Sequence, residues 1–265
     1  MIICKNLEIN DPIRTTNEWF DKCPPQGKLK HWVDGRSAKE TAKHWLHTIP
    51  VQFLDLLNDF NLRYKKCSPE YVSKIDNYKG NGRNHDLLII AENESNKNVV
   101  ISIESKIDEP FGETIKERFI AADIELKKNP RSKALNRIQE LCDAVCGKND
   151  KEPLDLRKAI LENSNQEELA LRYQLLTAVA GTIAEAEKQG AKTAVFVVET
   201  FISAEIDMKK HAKNQEDLNK FIEYLSKGQH KIIHSGKPLN IGQLPGNEFI
   251  PNNIELHIGK IDIKI

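Results

Sequence analysis

Three side chains in the first half of the chain have the types and spacing needed for metal-assisted chemistry. Asp86 opens an apolar run that continues to residue 91, whereas Glu104 and Lys106 end a second apolar run that begins at residue 99. Short, continuous apolar runs of this kind are typical of strands buried on both faces. The polar residues between the two runs, 92–98, predict the turn of an antiparallel hairpin.

The predicted hairpin brings the two acids together. If its turn is centred on Ser95, residues whose numbers add up to about 190 face each other, and Asp86 lies opposite Glu104. Lys106 is two residues beyond Glu104 and therefore on the same face, because side chains on a strand alternate with a period of two. The sequence thus predicts two adjacent carboxylates with an ammonium group beside them.

Two facing carboxylates need a compensating charge, because they repel each other and their burial without partners costs several kcal/mol. A divalent cation supplies that charge. Mg²⁺ binds one or two carboxylates, retains several waters and contacts the phosphate oxygens of a substrate. A neighbouring lysine can orient or deprotonate a water on such an ion. We therefore expect Mg²⁺, with Mn²⁺ as an alternative, at Asp86 and Glu104.

Asp86, followed on the next strand by Glu104-Ser105-Lys106, resembles the Asp…Glu-x-Lys signature of the PD-(D/E)xK nuclease superfamily. The predicted order of a helix, the strands with these residues, a helix and another strand is also similar to the core of that superfamily. The resemblance covers residues 35–200 approximately and implies cleavage of phosphodiester bonds, with DNA as the expected partner. It also implies that Asp86 and Glu104 hold the metal, that the Ser105 carbonyl is a further ligand and that Lys106 assists the attacking water.

The same resemblance suggests two further site residues. Many members have a glutamate on the first core helix near the metal, and Glu40 is the candidate here. The alternative is that Glu40 partners Ser37 in a capping box, since Ser-x-x-Glu is the spacing of that motif. Gln174 lies where, in some members, the helix after the Glu-x-Lys strand contributes a polar side chain to the site. The alternative is that Gln174 is an ordinary residue on the surface of a helix. His85 stands where the family pattern often has proline.

Glu-x-Lys alone has low specificity in a chain with 29% charged residues, and Glu125-Leu126-Lys127 matches it too. Those residues follow a helical pattern without an upstream acid, so we expect a site only at Glu104. The eight histidines lack zinc-type spacing, and the sequence has neither a Gly-rich phosphate loop followed by a helix nor a GxSxG elbow. Zinc, nucleotide-driven and serine-hydrolase chemistry are therefore not expected.

The elements around these residues predict an α/β fold: a restriction-endonuclease-like core with a mixed central sheet flanked by helices. Helices are expected to begin at Ser37 and Val51, and further helical patterns cover residues 115–126, 135–145, 169–187 and 215–226. A buried strand is expected at 193–198. Two half-exposed strands are expected at 254–258 and 261–265, joined as a terminal hairpin across Gly259-Lys260.

These elements predict a single nuclease-like domain over residues 1–265. Its core spans residues 35–200 approximately. A helical insertion, with a loop at 148–153, occupies residues 111–165 approximately, and an extension with additional strands occupies residues 203–265 approximately.

Charge and composition limit the class of protein. The 39 Lys and Arg equal the 39 Asp and Glu, so a basic surface for nucleic acid must be local. The sequence lacks both an apolar run of about 18 residues and a basic segment followed by an apolar one. We therefore expect that the protein is neither inserted into a membrane nor secreted. The five cysteines lack metal-type spacing and favour a reduced, cytoplasmic protein. Cys142 and Cys146, four residues apart, are expected on one buried helical stripe.

Two functions remain open. The first is a Mg²⁺-dependent endonuclease acting on DNA, in restriction or defence against foreign DNA. Cutting both strands with one site per chain would favour a homodimer. The second is a catalytically inactive nuclease-like fold that binds nucleic acid or a protein partner. Metal binding at Asp86 and Glu104 separates the two, because a binding module has no need to hold a metal there.

Overall fold

A computed structural model of the protein describes residues 12–147, 155–162 and 164–265. Within these residues, six strands form one mixed sheet in the order β1-β2-β3-β4-β6-β5. The strands are β1 (Arg63–Ser73), β2 (Arg83–Glu92), β3 (Asn98–Lys106), β4 (Thr193–Ile202), β5 (Leu239–Gly242) and β6 (Glu255–Lys264). Strands β1, β2 and β3 pair antiparallel, β3, β4 and β6 pair parallel, and β5 is antiparallel to β6.

Helices cover both faces of this sheet. The helices of the described residues are α1 (Thr16–Lys22), α2 (Ser37–Trp45), α3 (Val51–Leu56), α4 (Ile115–Lys128), α5 (Ala134–Cys146), α6 (Leu156–Leu161), α7 (Tyr173–Lys188) and α8 (Met208–Leu225). The buried apolar residues of α4 to α8 form one core with the sheet, and those of α1 to α3 form a second core on the opposite face. The expected α/β fold with a mixed sheet between helices is confirmed.

The predicted helices are present with shifted limits. Helices α2 and α3 begin at Ser37 and Val51 as expected, but the pattern predicted over 169–187 divides into a short 3-10 helix, Glu167–Ala170, and α7. The loop predicted at 148–153 lies outside the described residues. Among the described helices, none combines the length and the apolar character required to cross a membrane.

Strands β2 and β3 form the predicted hairpin in the predicted register. Leu87 pairs with Ile103 and Ala91 pairs with Val99, so the numbers of paired residues add up to 190. Both faces of the hairpin are covered, because alternate residues enter the two cores. This double burial explains why the apolar runs are continuous instead of alternating with polar residues.

Strand β1 was not predicted from the sequence, and one of its residues has an unusual backbone conformation beside the hairpin. Pro69 lies within it and has no N–H to donate, which is tolerated because β1 is an edge strand of the sheet. The next residue, Glu70, has a φ of 46°, in the left-handed region that residues other than glycine rarely adopt. Glu70 lies opposite Asp86, the first of the candidate site residues.

The predicted terminal hairpin across Gly259-Lys260 is wrong. Residues 255–264 form the single strand β6, which pairs with β4 along its whole length. A Cβ atom at Gly259 would lie 2.7 Å from Leu56 Cδ2, so this glycine permits close packing of α3 instead of forming a turn. Because β6 lies between β4 and β5, it is largely buried, which also corrects the expectation of half-exposed strands.

The cysteines divide into two groups. Cys142 and Cys146 are buried free thiols of α5, so the prediction of one buried stripe is confirmed. Cys67 is also a free thiol. Cys23 is disulfide-bonded, and the expectation of a fully reduced chain is therefore wrong at this residue.

Candidate active site

The two predicted acids lie next to each other at the end of the hairpin away from its turn. Leu87 and Ile103 are the last paired residues of the hairpin; Asp86 directly precedes Leu87, and Glu104 directly follows Ile103. The backbone N–H of Ser105 donates a hydrogen bond of 2.7 Å to Asp86 Oδ2, which holds the aspartate against the neighbouring strand. The fold therefore brings Asp86 and Glu104 together as the sequence predicted.

Glu104 is buried and surrounded by donors. Lys106 Nζ lies 2.7 Å from Glu104 Oε1, so the predicted position of the lysine on the same face is confirmed. Gln174 Nε2, from α7, donates to the same oxygen at 2.6 Å, and the guanidinium of Arg83 contacts Oε2. Burial acts to raise the pKa of Glu104, but the charges of Lys106 and Arg83 outweigh it and hold the pKa below its ordinary value.

These contacts settle one open alternative and add one residue. Gln174 is not an ordinary surface residue, because its side chain reaches the carboxylate. Arg83 was missed by the sequence analysis. It opens β2 directly after the Gly80-Asn81-Gly82 segment, and no motif marks it as a partner of Glu104.

Asp86 has the opposite electrostatic environment. Its hydrogen bond comes from a neutral backbone N–H, and no cation is paired with it among the described residues. Burial and, to a smaller extent, the negative charge of Glu104 raise the pKa of Asp86 to about 7, although the charge of Lys106 partly opposes the increase. The ionised form of Asp86 thus has no cation in direct contact within the described residues.

A third carboxylate, which the sequence analysis missed, extends the pair. The neighbours of Glu70 in β1 pair with the neighbours of Asp86 in β2, so Glu70 lies opposite Asp86 on its other side. Glu70 Oε2 accepts a hydrogen bond of 2.5 Å from Asn84 Nδ2. Burial, together with the charges of Asp86 and Glu104, raises the pKa of Glu70 to about 8. Glu70, Asp86 and Glu104 form a carboxylate row across β1, β2 and β3.

Glu40 does not reach the carboxylate row. Its Oε1 accepts hydrogen bonds from Gly35 N at 2.9 Å and from Lys43 Nζ at 2.8 Å, which tie it to the start of α2. The alternative capping box is also wrong. The backbone N–H and the hydroxyl of Ser37 both donate to Glu109 Oε1, at 3.3 and 3.2 Å, instead of pairing with Glu40.

Close contact with α7 explains the residue before Asp86. His85 is fully buried, and a Cβ atom at Gly181 of α7 would lie 2.7 Å from His85 Nε2. Glycine at this position allows the helix to approach β2. Burial lowers the pKa of His85 well below its ordinary value, so the imidazole stays neutral. His85 thus packs the helix that carries Gln174.

The carboxylate row lines a cleft of about 1060 Å³. Its lining also includes two arginines that are close to half exposed, with relative side-chain accessibilities of 54% for Arg36 and 48% for Arg118. Lys106, by contrast, is 9% exposed, and its Nζ lies 5.4 Å from the centre of the Phe111 ring. Buried and half-buried acids with exposed cations around them suit a ligand that carries phosphate groups.

The donor chemistry of the carboxylate row fits a magnesium ion. Carboxylate oxygens are hard ligands, and a bound cation would offset the charges of Asp86 and Glu70, neither of which has a cation in direct contact within the described residues. Among the described residues, however, no three His, Cys, Asp or Glu side chains are already grouped as a metal site. The oxygens of Glu104 are engaged by Lys106, Gln174 and Arg83. Glu104 can therefore join the ion only if one of these partners is released.

Comparison with known proteins identifies one relationship. The chain matches no curated protein and no solved structure. A family model described as a domain of unknown function, DUF6946, matches residues 12–265, which include every element of the sheet and the whole carboxylate row. The protein therefore belongs to the DUF6946 family.

Proposed function

We propose that the protein is a metal-dependent nuclease of the PD-(D/E)xK type that hydrolyses phosphodiester bonds in DNA. The observation that carries this proposal is the contact between Lys106 and Glu104 beside Asp86, at one end of a buried hairpin and in an open cleft. Two acids and a lysine in this arrangement support the activity that the sequence resemblance implies. Restriction or defence against foreign DNA is the proposed setting.

Each side chain has a distinct proposed role. Asp86 and Glu104, with Glu70 as an additional ligand, would hold Mg²⁺, and the Ser105 carbonyl remains a candidate ligand. The bound ion would polarise the phosphate and lower the pKa of the attacking water. Lys106, held by Glu104, would orient that water and neutralise the charge that develops on the phosphate.

Gln174 would act through Glu104. Its amide donates to the same Oε1 that contacts Lys106 and so restricts the rotation of the carboxylate. Residues that orient a metal-binding or catalytic carboxylate commonly influence affinity and rate without touching the substrate.

The proposed substrate is DNA because the chain offers cations where a phosphate backbone would enter. Arg36 and Arg118 line the cleft and are exposed. Since the whole chain is neutral, binding must depend on this local charge and must weaken as salt concentration rises. Cutting of both strands would further favour a homodimer. Sedimentation of the protein on duplex DNA tests this, and a monomer that cuts both strands would contradict it.

The nuclease proposal is tested by incubating supercoiled plasmid with the purified protein and Mg²⁺. Asp86→Ala and Lys106→Ala should abolish nicking. Lys127→Ala provides a matched control, because it removes a lysine from the second Glu-x-Lys sequence, which lies on the exposed side of α4. Nicking that survives in both site variants, or that is lost equally in the control, would refute the residue assignment.

A catalytically inactive binding module is the second candidate. It is favoured by the occupation of both Glu104 oxygens by Lys106, Gln174 and Arg83, which holds the acid without any metal. Calorimetric titration of the protein with Mn²⁺ separates the two functions. Binding that is lost in Asp86→Ala supports the nuclease, whereas DNA binding without any Mn²⁺ binding supports the module.

A further inference from the structure

A continuous chain of hydrogen bonds connects α2 to Asp86 through the interior of the protein. Trp45 Nε1 donates to Glu199 Oε1 at 2.8 Å, and the Ser105 hydroxyl donates to Glu199 Oε2 at 2.8 Å. The backbone N–H of Ser105 then donates to Asp86 Oδ2 at 2.7 Å. The side chain of Ser105 points to the face opposite Glu104, because adjacent residues of a strand alternate. The chain thus reaches Asp86 from behind.

The central member of this chain is unusual for its position. Glu199 of β4 is fully buried, and its neighbours on the same face, Val197 and Phe201, belong to the apolar core. Burial raises the pKa of Glu199 to about 7, and no cation is paired with it within the described residues. An apolar residue would avoid the cost of burying a carboxylate here. The presence of an acid therefore calls for a role beyond packing.

The Ser105 N–H faces β2, where the ladder between β2 and β3 has already ended, although β3 stays paired with β4 as far as Lys106. The last paired residues are Leu87 and Ile103, so beyond them the Ser105 N–H is satisfied by the side chain of Asp86 instead of a β2 carbonyl. The direction of this N–H depends on how firmly the end of β3 is held. Glu199 holds it from the opposite face through the Ser105 hydroxyl.

We propose that Glu199 is a positioning residue for Asp86, acting by fixing Ser105 so that its N–H orients the aspartate carboxylate. The proposal rests on the proposed function, in which that carboxylate binds the metal. Hydrogen bonds to metal-binding side chains commonly change metal affinity about 10- to 100-fold. Glu199 would thus adjust the metal site without touching metal or substrate.

The test replaces Glu199 by Gln, which keeps the size of the side chain but removes its charge and replaces one of the two accepting oxygens by an amide group that can only donate. The matched control is Ser102→Ala, which removes another buried hydroxyl of β3. That hydroxyl bonds to Thr182 of α7 and has no connection to Asp86. Both variants remove or weaken a buried hydrogen bond, so thermal unfolding should show similar destabilisation. Only a positioning role distinguishes them in the two measurements that follow.

The first measurement is calorimetric titration with Mn²⁺ alone, and the second is hydrogen exchange of the Ser105 amide by NMR. Glu199→Gln should weaken Mn²⁺ binding about 10- to 100-fold and accelerate exchange of this amide. Ser102→Ala should leave both unchanged. Unchanged Mn²⁺ affinity in Glu199→Gln, or an equal loss in Ser102→Ala, would overturn the proposal.

A second variant covers the case in which Glu199→Gln does not fold. Ser105→Ala removes the hydroxyl but keeps the amide, and it should shift both measurements in the same direction; unchanged values would overturn the proposal. Failure of the proposed function has a different signature. If the parent protein binds no Mn²⁺ while Glu199→Gln still accelerates exchange of the Ser105 amide, the nuclease proposal fails and the positioning role stands.

Discussion

Replacing Asp86 by Asn should stabilise the metal-free protein above neutral pH. Asparagine keeps the shape of the side chain and an oxygen that can accept from the Ser105 N–H, but it removes the charge. Burial, with the adjacent charge of Glu104, raises the pKa of Asp86 from 3.8 to about 7. Because the pKa is higher in the folded state, ionisation of Asp86 opposes folding, and this cost grows between the two pKa values and is complete above the higher one.

The size of the effect follows from that difference. At about 1.4 kcal/mol per pH unit, a rise from 3.8 to about 7 corresponds to a cost of about 4 kcal/mol at pH 8. Asp86→Asn removes this cost, but the neutral amide accepts a weaker hydrogen bond than the carboxylate, which reduces the gain in stability by about 1 kcal/mol. Partial exposure of Asp86 reduces the cost further. We expect Asp86→Asn to be more stable by about 2 kcal/mol at pH 8, and by less than about 1 kcal/mol at pH 5.

Urea unfolding followed by circular dichroism, with a chelator present, measures this difference at both pH values. Glu104→Gln is the matched comparison and should have the opposite sign. Its carboxylate neutralises the buried charges of Lys106 and Arg83, so its removal should destabilise the protein by about 3–5 kcal/mol. The reasoning is refuted if Asp86→Asn is less stable than the parent at pH 8, or if its gain is the same at both pH values.

Three further outcomes are expected. Lys106→Met should lower the rate of plasmid nicking about 10²- to 10⁴-fold while Mn²⁺ binding persists, since the lysine acts on the water and not as a ligand; loss of Mn²⁺ binding in calorimetry would contradict this role. Arg83→Met should increase Mn²⁺ affinity about tenfold, because it removes a nearby positive charge and frees an oxygen of Glu104; weaker binding would show that Arg83 holds the acid in place for the ion. Glu70→Gln should flatten the decline in stability of the metal-free protein as pH rises from about 4.5 to about 8, because burial raises the pKa of Glu70 over that interval; unfolding curves with an unchanged pH dependence would contradict this.

Local patterns were sufficient for the centre of the site. The two apolar runs and the turn between them fix the register of β2 and β3, and the register alone places Asp86 beside Glu104. The period of two then places Lys106 with Glu104. These predictions succeeded because the residues lie on one hairpin, where short-range geometry determines which side chains meet.

Local sequence patterns could not predict contacts between segments that are far apart in the chain. Glu70 went unnoticed because Pro69 argues against a strand, and only the position of β1 at the sheet edge makes the proline acceptable. In the sequence, Glu199 is only one residue at the end of an apolar strand. The parallel pairing of β3 and β4 places it beside Ser105. The resemblance to a nuclease family suggested Glu40, but the turn before α2 engages that carboxylate instead.

The sequence by itself determined the class of fold, the hairpin and the three residues at its end, because hydrophobic periodicity and strand register depend on neighbours in the chain. The tertiary structure decided which charges balance one another. It gave Glu104 three donors and Asp86 only a backbone N–H, added Glu70 from an edge strand and buried Glu199 behind the site. Electrostatic balance depends on distances between segments far apart in the chain, and only the folded arrangement of the sheet and helices sets those distances.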